Sequence, residues 1–195
     1  MWASPDCQAT FLARNGAEMP LKPHKLLVTS LSGNARRGWL RHGQRWYAVA
    51  LGRSGRRPRK REGDGATPVG TWHVIAVLYR PDRTARPRTG IFPVRRIAQR
   101  DGWCDAEGDR NYNRPVRLPY PASAERMWRE DGLYDIVVVL DHNQRPRVQG
   151  GGSAIFMHLA REDWSGTEGC VALAFQDLLD VLSLAKPDAE IEIRI

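Results

Sequence analysis

The sequence predicts a mainly β domain, and three observations carry that prediction. Short apolar, β-branched stretches recur along the 195 residues, separated by segments rich in Gly, Pro and charge. Only one stretch, residues 174–186, has a clear helical stripe. The chain ends on "AEIEIRI" (189–195), whose strict alternation is that of a half-buried strand.

Each element follows from its residues. "HKLLVTSL" (24–31) is apolar and β-branched. "GWLRHGQRWYAVALG" (38–52) reads as a hairpin with Gly43 in the turn. "GTWHVIAVLYR" (70–80), "YDIVVVLDHN" (134–143) and "GSAIFMHLA" (152–160) read as three further strands. In "AFQDLLDVLSLAK" (174–186), Phe175, Leu178, Leu179 and Leu182 fall on one stripe, and Lys186-Pro187 supplies a stop. "SAERMWRED" (123–131) predicts a second, shorter helix, with Ser123 as N-cap and Gly132 beyond its end. Residues 81–122 show no period and are rich in Pro, Arg, Gly and Asp, as a lid or substrate wall would be. There is no internal repeat.

Composition narrows the function classes. Hydrophobic residues at 42% and charged residues at 27% suit a soluble globular domain, and the apolar runs are too short to span a bilayer. The net charge of +8 is concentrated in "RSGRRPRKR" (53–61). No aromatic residue interleaves with those charges, so the stretch reads as a solvated loop rather than a nucleic-acid surface, and no specific nucleic acid is expected as partner. Three cysteines without close spacing (Cys7, Cys104 and Cys170) argue against a disulfide framework or a structural zinc site. The start lacks a basic region followed by an apolar stretch, so the expected location is the cytoplasm, or the periplasm had a leader been removed. The expected organisation is an N-terminal extension over 1–23 and a catalytic domain over 24–195, with 81–122 as a lid-like insertion.

Chemistry concentrates at "GTEGCVAL" (166–173). A thiol attacks as its thiolate, which an imidazole within reach can generate. His158 closes a predicted strand, and Cys170 follows twelve residues later, after a loop that can return the chain beside that strand end. Gly169, bare of side chain, lets backbone N–H groups face a reacting carbonyl, and Thr167 can hold the loop or touch substrate. On spacing alone, Cys170 as a buried core residue with an unrelated surface His158 is equally open. His24 and His73 lie in strand patterns, and His42 and His142 in turns. No spacing among them supports a metal site.

"SAIFMHLAREDWSGTEGCVAL" resembles the active-site segment of the L,D-transpeptidase catalytic domain (the YkuD-like family): a histidine at a strand end, a loop, then Ser/Thr-x-Gly-Cys. "EGDGATPVGTWHV" (62–74) is similar to that family's Gly-x-x-Thr-Pro-x-Gly strand entry, and "WCDAEGDRNYNR" and "LYDIVVVLDHNQRP" look like a bacterial branch of it. The resemblance implies a β-sandwich-like catalytic domain with one or two short helices, no cofactor and no metal. It implies a cysteine acyltransferase, an L,D-transpeptidase or L,D-carboxypeptidase, acting on a peptidoglycan stem peptide or soluble muropeptide. Cys170 is then the nucleophile, His158 the base, and the N–H groups of Glu168, Gly169 and Cys170 the oxyanion hole. Carbapenem acylation of Cys170 is implied as well. Thr167, Glu168, Trp103, Asp105, Tyr112 and Asn113 are expected at the substrate. Two departures stand out: Glu168 where the family has histidine, and Ala172 where it has arginine or asparagine. The first puts an acid beside the thiol, and the second removes a polar group, for which Arg114 or Arg117 is the expected substitute. These departures motivate the alternative of an inactive module that binds peptidoglycan fragments.

Overall fold

The computed structural model describes residues 25–195. The extension over 1–23, with Cys7, and also His24 lie outside the described residues. Fourteen strands and one helix are formed among the described residues. The main sheet runs β11 (Ile136–Leu140), β12 (Phe156–Leu159), β13 (Val171–Leu173), β3 (Arg45–Ala50), β2 (Arg37–His42), β1 (Lys25–Thr29), β14 (Glu190–Ile193), β6 (Gly70–Tyr79) and β7 (Val94–Arg96). β11 also pairs antiparallel with β6, closing the sheet into a barrel-like, sandwich-like ring. β4 (Arg56–Arg57) and β5 (Thr67–Pro68) form a two-stranded ribbon. β8 (Asp101–Cys104), β9 (Arg114–Arg117) and β10 (Ala124–Arg126) form a separate three-stranded sheet, so 81–122 is more ordered than an aperiodic sequence suggests.

Two apolar clusters explain the strand patterns. Ile136, Val138 and Leu140 of β11 face the main core, while Val137 and Val139 face a second core with Trp103, Tyr134 and Phe156. A strand buried on both faces reads as a continuous apolar run, which is why "IVVVL" carries no alternation. β12 continues the division: Met157 faces the main core and Phe156 the second. Cys170 belongs to the second cluster, on the side covered by the three-stranded sheet.

The helix α1 (Phe175–Leu184) buries Leu178, Val181 and Leu182. Phe175, expected on the buried stripe, is exposed, and Val181 takes its place. Asp180 fastens the helix to β3 by accepting from Arg45 and from the Tyr47 hydroxyl (2.6 Å). The helix expected over 123–131 does not form. Ala124–Arg126 pairs with β8 instead, and Gly132 sits in a turn at φ 76°. Ladder hydrogen bonds to an available edge outweigh the modest helical preference of so short a segment.

The basic stretch 53–61 is also less solvated than expected. Arg56 is buried and donates to the carbonyls of Arg194 and Ser32. Lys60, its side chain 3% exposed, pairs with Asp64.

Candidate active site

The parallel pairing of β12 with β13 places His158 and Cys170. The register sets Met157 opposite Val171 and His158 opposite Ala172. Cys170 precedes β13 and therefore lies beside Phe156, two residues before His158. Side chains two apart share a face of a strand, so His158 and Cys170 both project to the side of the second core. Each is 6% exposed, and both line one cleft of about 530 Å³. The small Ala172 side chain leaves the space beside His158 unfilled.

The connecting loop is held from three directions. Thr167 bridges to Gly52, with its N–H on the Leu51 carbonyl (2.9 Å) and its carbonyl accepting from the Arg53 N–H (2.7 Å). Arg37 donates to the Asp163 carbonyl (2.8 Å). The Thr167 hydroxyl donates to the Cys170 carbonyl (2.7 Å) and accepts from the Gly169 N–H (3.1 Å). Thr67, from the "ATPVG" block, approaches the same Cys170 carbonyl at 3.5 Å while accepting from the Gly52 N–H at 2.8 Å. The two sequence blocks thus meet at the Cys170 backbone. Gly169 has φ 136°, and a Cβ there would come within 2.8 Å of the Ala66 carbonyl oxygen and 3.3 Å of Lys60 Cε. Only glycine fits between that backbone and the Lys60 stem.

The sulfur accepts from the Phe156 N–H (3.3 Å) and donates to the Ala154 carbonyl (3.2 Å). Among the described residues it makes no hydrogen bond to His158. Burial pushes the thiol up to about 12, aided by the Glu125 carboxylate and opposed by the Phe156 N–H and the Lys60 charge. Burial likewise brings His158 down to about 4. At neutral pH the empty cleft therefore holds a thiol and a neutral imidazole. The imidazole tautomer is fixed: Nδ1 lies 2.8 Å from the Leu159 carbonyl, which can only accept, so Nδ1 carries the proton and Nε2 has the free lone pair. The Tyr134 ring packs edge-on to the imidazole at 5.3 Å.

The cleft wall differs from expectation in several places. Asp105, Thr167 and Glu168 line it, whereas Trp103, Tyr112 and Asn113 stand behind it. Trp103 packs edge-on against Phe156 at 5.0 Å and donates to Asn113 Oδ1 (2.9 Å). Asn113 Oδ1 also accepts the Ala154 N–H (3.1 Å), and its Nδ2 donates to the carbonyls of His142 and Asn143. Tyr112 is fully buried, its hydroxyl on Glu62. These three carry the wall rather than form its surface. His142 packs on Trp72 at 4.6 Å, and His42 ends β2, both buried. Cys104 is buried in β8, and no group of three metal-ligating side chains occurs among the described residues.

A family model for the L,D-transpeptidase catalytic domain (YkuD) matches residues 25–193. The chain belongs to that family. No curated protein and no solved structure matches it. As a YkuD domain it is an L,D-transpeptidase-type enzyme of peptidoglycan. Among the described residues no helix is long and apolar enough to cross a membrane.

Both departures from the family pattern find a place in this YkuD domain. The Glu168 side chain is 70% exposed and pairs with Arg53 at the cleft wall. The acid that acts on the thiol is Glu125. Arg114 and Arg117 do not line the cleft. Its cationic side comes from Arg126, Arg129 and Arg161. Glu125 and Arg129 stand four apart and would share a face of the expected helix, but it is the strand pairing of Ala124–Arg126 with β8 that brings them to the cleft, and the sequence does not show that pairing. Glu125 accepts from the Tyr134 hydroxyl (2.6 Å), and Arg129 lies over the Tyr134 ring at 5.0 Å while pairing with Asp131.

Proposed function

We propose that this L,D-transpeptidase uses Cys170 to cleave the diaminopimelate–D-Ala bond of a stem tetrapeptide through a thioester. The observation that carries the reading is the shared cleft: a thiol and an imidazole with Nε2 free project from the same face of two paired strands.

Substrate entry redirects the thiol proton from the Ala154 carbonyl to His158 Nε2, and the sulfur attacks the carbonyl at the L-centre. The oxyanion is met by backbone N–H groups of the Glu168–Cys170 turn. The Gly169 N–H is engaged by the Thr167 hydroxyl, which leaves this task to the N–H groups of Glu168 and Cys170. The C–N bond then breaks, and the imidazolium gives its proton to the departing D-alanine amine. Water releases a tripeptide from the thioester, and an amine gives a crosslink or an exchanged D-amino acid. His158 is the base for either acceptor. Arg126 and Arg161, which have no ion-pair partner among the described residues, are placed to meet the carboxylates of the peptide.

A disaccharide-tetrapeptide incubated with the protein and followed by mass spectrometry should lose D-alanine, or exchange it when another D-amino acid is added. No product under either condition rejects the reading. The second reading, a module that binds fragments without cleaving them, draws on one observation: the sulfur is bonded to backbone and not to His158. Intact-mass labelling with a carbapenem separates the two, since an adduct on the wild type that disappears in Cys170→Ala belongs to a nucleophile.

A further inference from the structure

We propose that Lys60 is a positioning residue of the acylation step, whose buried ammonium, lodged behind Gly169, steadies negative charge on the Cys170 sulfur. The Lys60 side chain is 3% exposed and lies outside the residues that line the cleft. Its stem runs against two glycines. A Cβ on Gly152 would come within 2.7 Å of Lys60 Cγ, and a Cβ on Gly169 within 3.3 Å of Lys60 Cε. Gly169 adjoins Cys170, and Gly152 lies two residues before Ala154, whose carbonyl accepts from the thiol. Both glycines have positive φ, 91° and 136°, a conformation that side chains resist. The two segments that carry the sulfur and its acceptor are thus closed down on a lysine rather than on an apolar residue.

Packing alone does not call for a charge there. Lysine is almost never buried unless paired, and a buried ion pair adds little over apolar side chains of the same volume. Lys60 pairs with Asp64, which is itself pinned by the N–H groups of Arg61 and Ala66 at 2.9 Å each. Lys60 Nζ also donates to the Arg61 carbonyl (2.8 Å), so the ammonium is fixed in one place. A thiolate needs a cation near it. Once burial has raised the thiol, two charges act on it: the Glu125 carboxylate of β10 disfavours the thiolate, and Lys60 favours it. The other ionisable groups packed about this centre are His158 and Tyr134 on the cleft side, and His142, whose Nε2 borders the same Gly152. Burial keeps both imidazoles and the phenol uncharged at neutral pH. Lys60 is therefore the cation that bears on the sulfur.

This inference rests on the proposed function, in which the Cys170 sulfur carries negative charge as it attacks. The rate at which iodoacetamide alkylates Cys170 at pH 8, followed by mass mapping, reports on the thiolate and needs no substrate. Lys60→Met keeps the stem and deletes the charge, and should slow alkylation. Asp64→Asn deletes the opposing charge, and should speed it. A shift of one pKa unit changes the thiolate fraction about tenfold, and the accompanying change in nucleophilicity leaves a rate change of about threefold in each direction. The double variant, Lys60→Met with Asp64→Asn, should return to within about twofold of wild type. All three variants break the same ion pair, so a lysine that only held the loop would move the three rates in one direction. That result, or a Lys60→Met rate equal to wild type, overturns the proposal. Should Lys60→Met fail to fold, Asp64→Asn must still be faster than wild type and the double variant must fall back. A wild type that leaves a tetrapeptide intact would reject the proposed reaction, and the alkylation rates would still report on Lys60.

Discussion

Ala172 and His158 stand opposite each other across the β12–β13 pair, and both line the cleft with Cys170. Ala172→Leu should therefore lower kcat by about two orders of magnitude, because a misplaced base forfeits most of its proton-transfer advantage. Overpacking should cost about 1–3 kcal/mol at the same time, and Ala172→Ser should retain activity. Steady-state kinetics beside denaturant melts check both effects. Asn113 is the other informative residue, since one side chain ties Trp103, Ala154, His142 and Asn143 together. Asn113→Ala should destabilise by roughly 2–4 kcal/mol, read from urea unfolding, because it strands several buried donors and acceptors at once. At this scale the sequence displayed the meeting of His158 and Cys170 at one cleft, and the glycine beside the cysteine, through strand-end and turn signals. It did not display Glu125 or Lys60, whose charges act on the thiol only where separate segments converge. It also made Glu168 look like the acid acting on the thiol, although its carboxylate pairs with Arg53 and the carboxylate that acts on the thiol is that of Glu125.

The strands at 25–29, 37–50, 70–79, 136–140, 156–159 and 190–193 agree with the apolar patterns that announced them. Each of those patterns reports burial against a neighbouring sheet or helix, a local signal. The segment 123–131 misled because its composition suits a short helix while its partner strand, β8, lies some twenty residues earlier in an aperiodic stretch. Strand choice there depends on a nonlocal edge that no window of sequence contains. The helix α1 is a simpler case. Leu182 is buried in the main core, and Leu182→Ala should cost about 2–5 kcal/mol in unfolding free energy. Because α1 faces the main core and the cleft lies on the second core, kcat measured well below the melting temperature should stay within about twofold of wild type.

The molecule as a whole sets a buried, neutral pair in a protein of net charge +8, and this has a pH signature. His158 stays neutral in the fold down to about 4, whereas the unfolded chain takes up that proton near 6.5. Below 6.5 the unfolded state binds the extra proton, so His158 removes stability as the pH falls from 6.5 towards 4, by up to about 3 kcal/mol, and has no effect above that window. Melts across pH 4–8 should show a slope in wild type that is shallower in His158→Gln. In the proposed mechanism the thiol and the imidazole become an acid–base pair when a substrate enters the cleft, so the most direct test looks for the covalent product of their meeting. Wild-type protein mixed with a disaccharide-tetrapeptide, quenched in acid within seconds and weighed intact, should carry the acyl group, mapped by fragmentation to Cys170. The bond should be sensitive to hydroxylamine, and the adduct should be missing in Cys170→Ala and scarce in His158→Gln. Tetrapeptide consumed with no acyl-enzyme, or an adduct of equal yield in Cys170→Ala, would contradict a thioester mechanism at this cysteine.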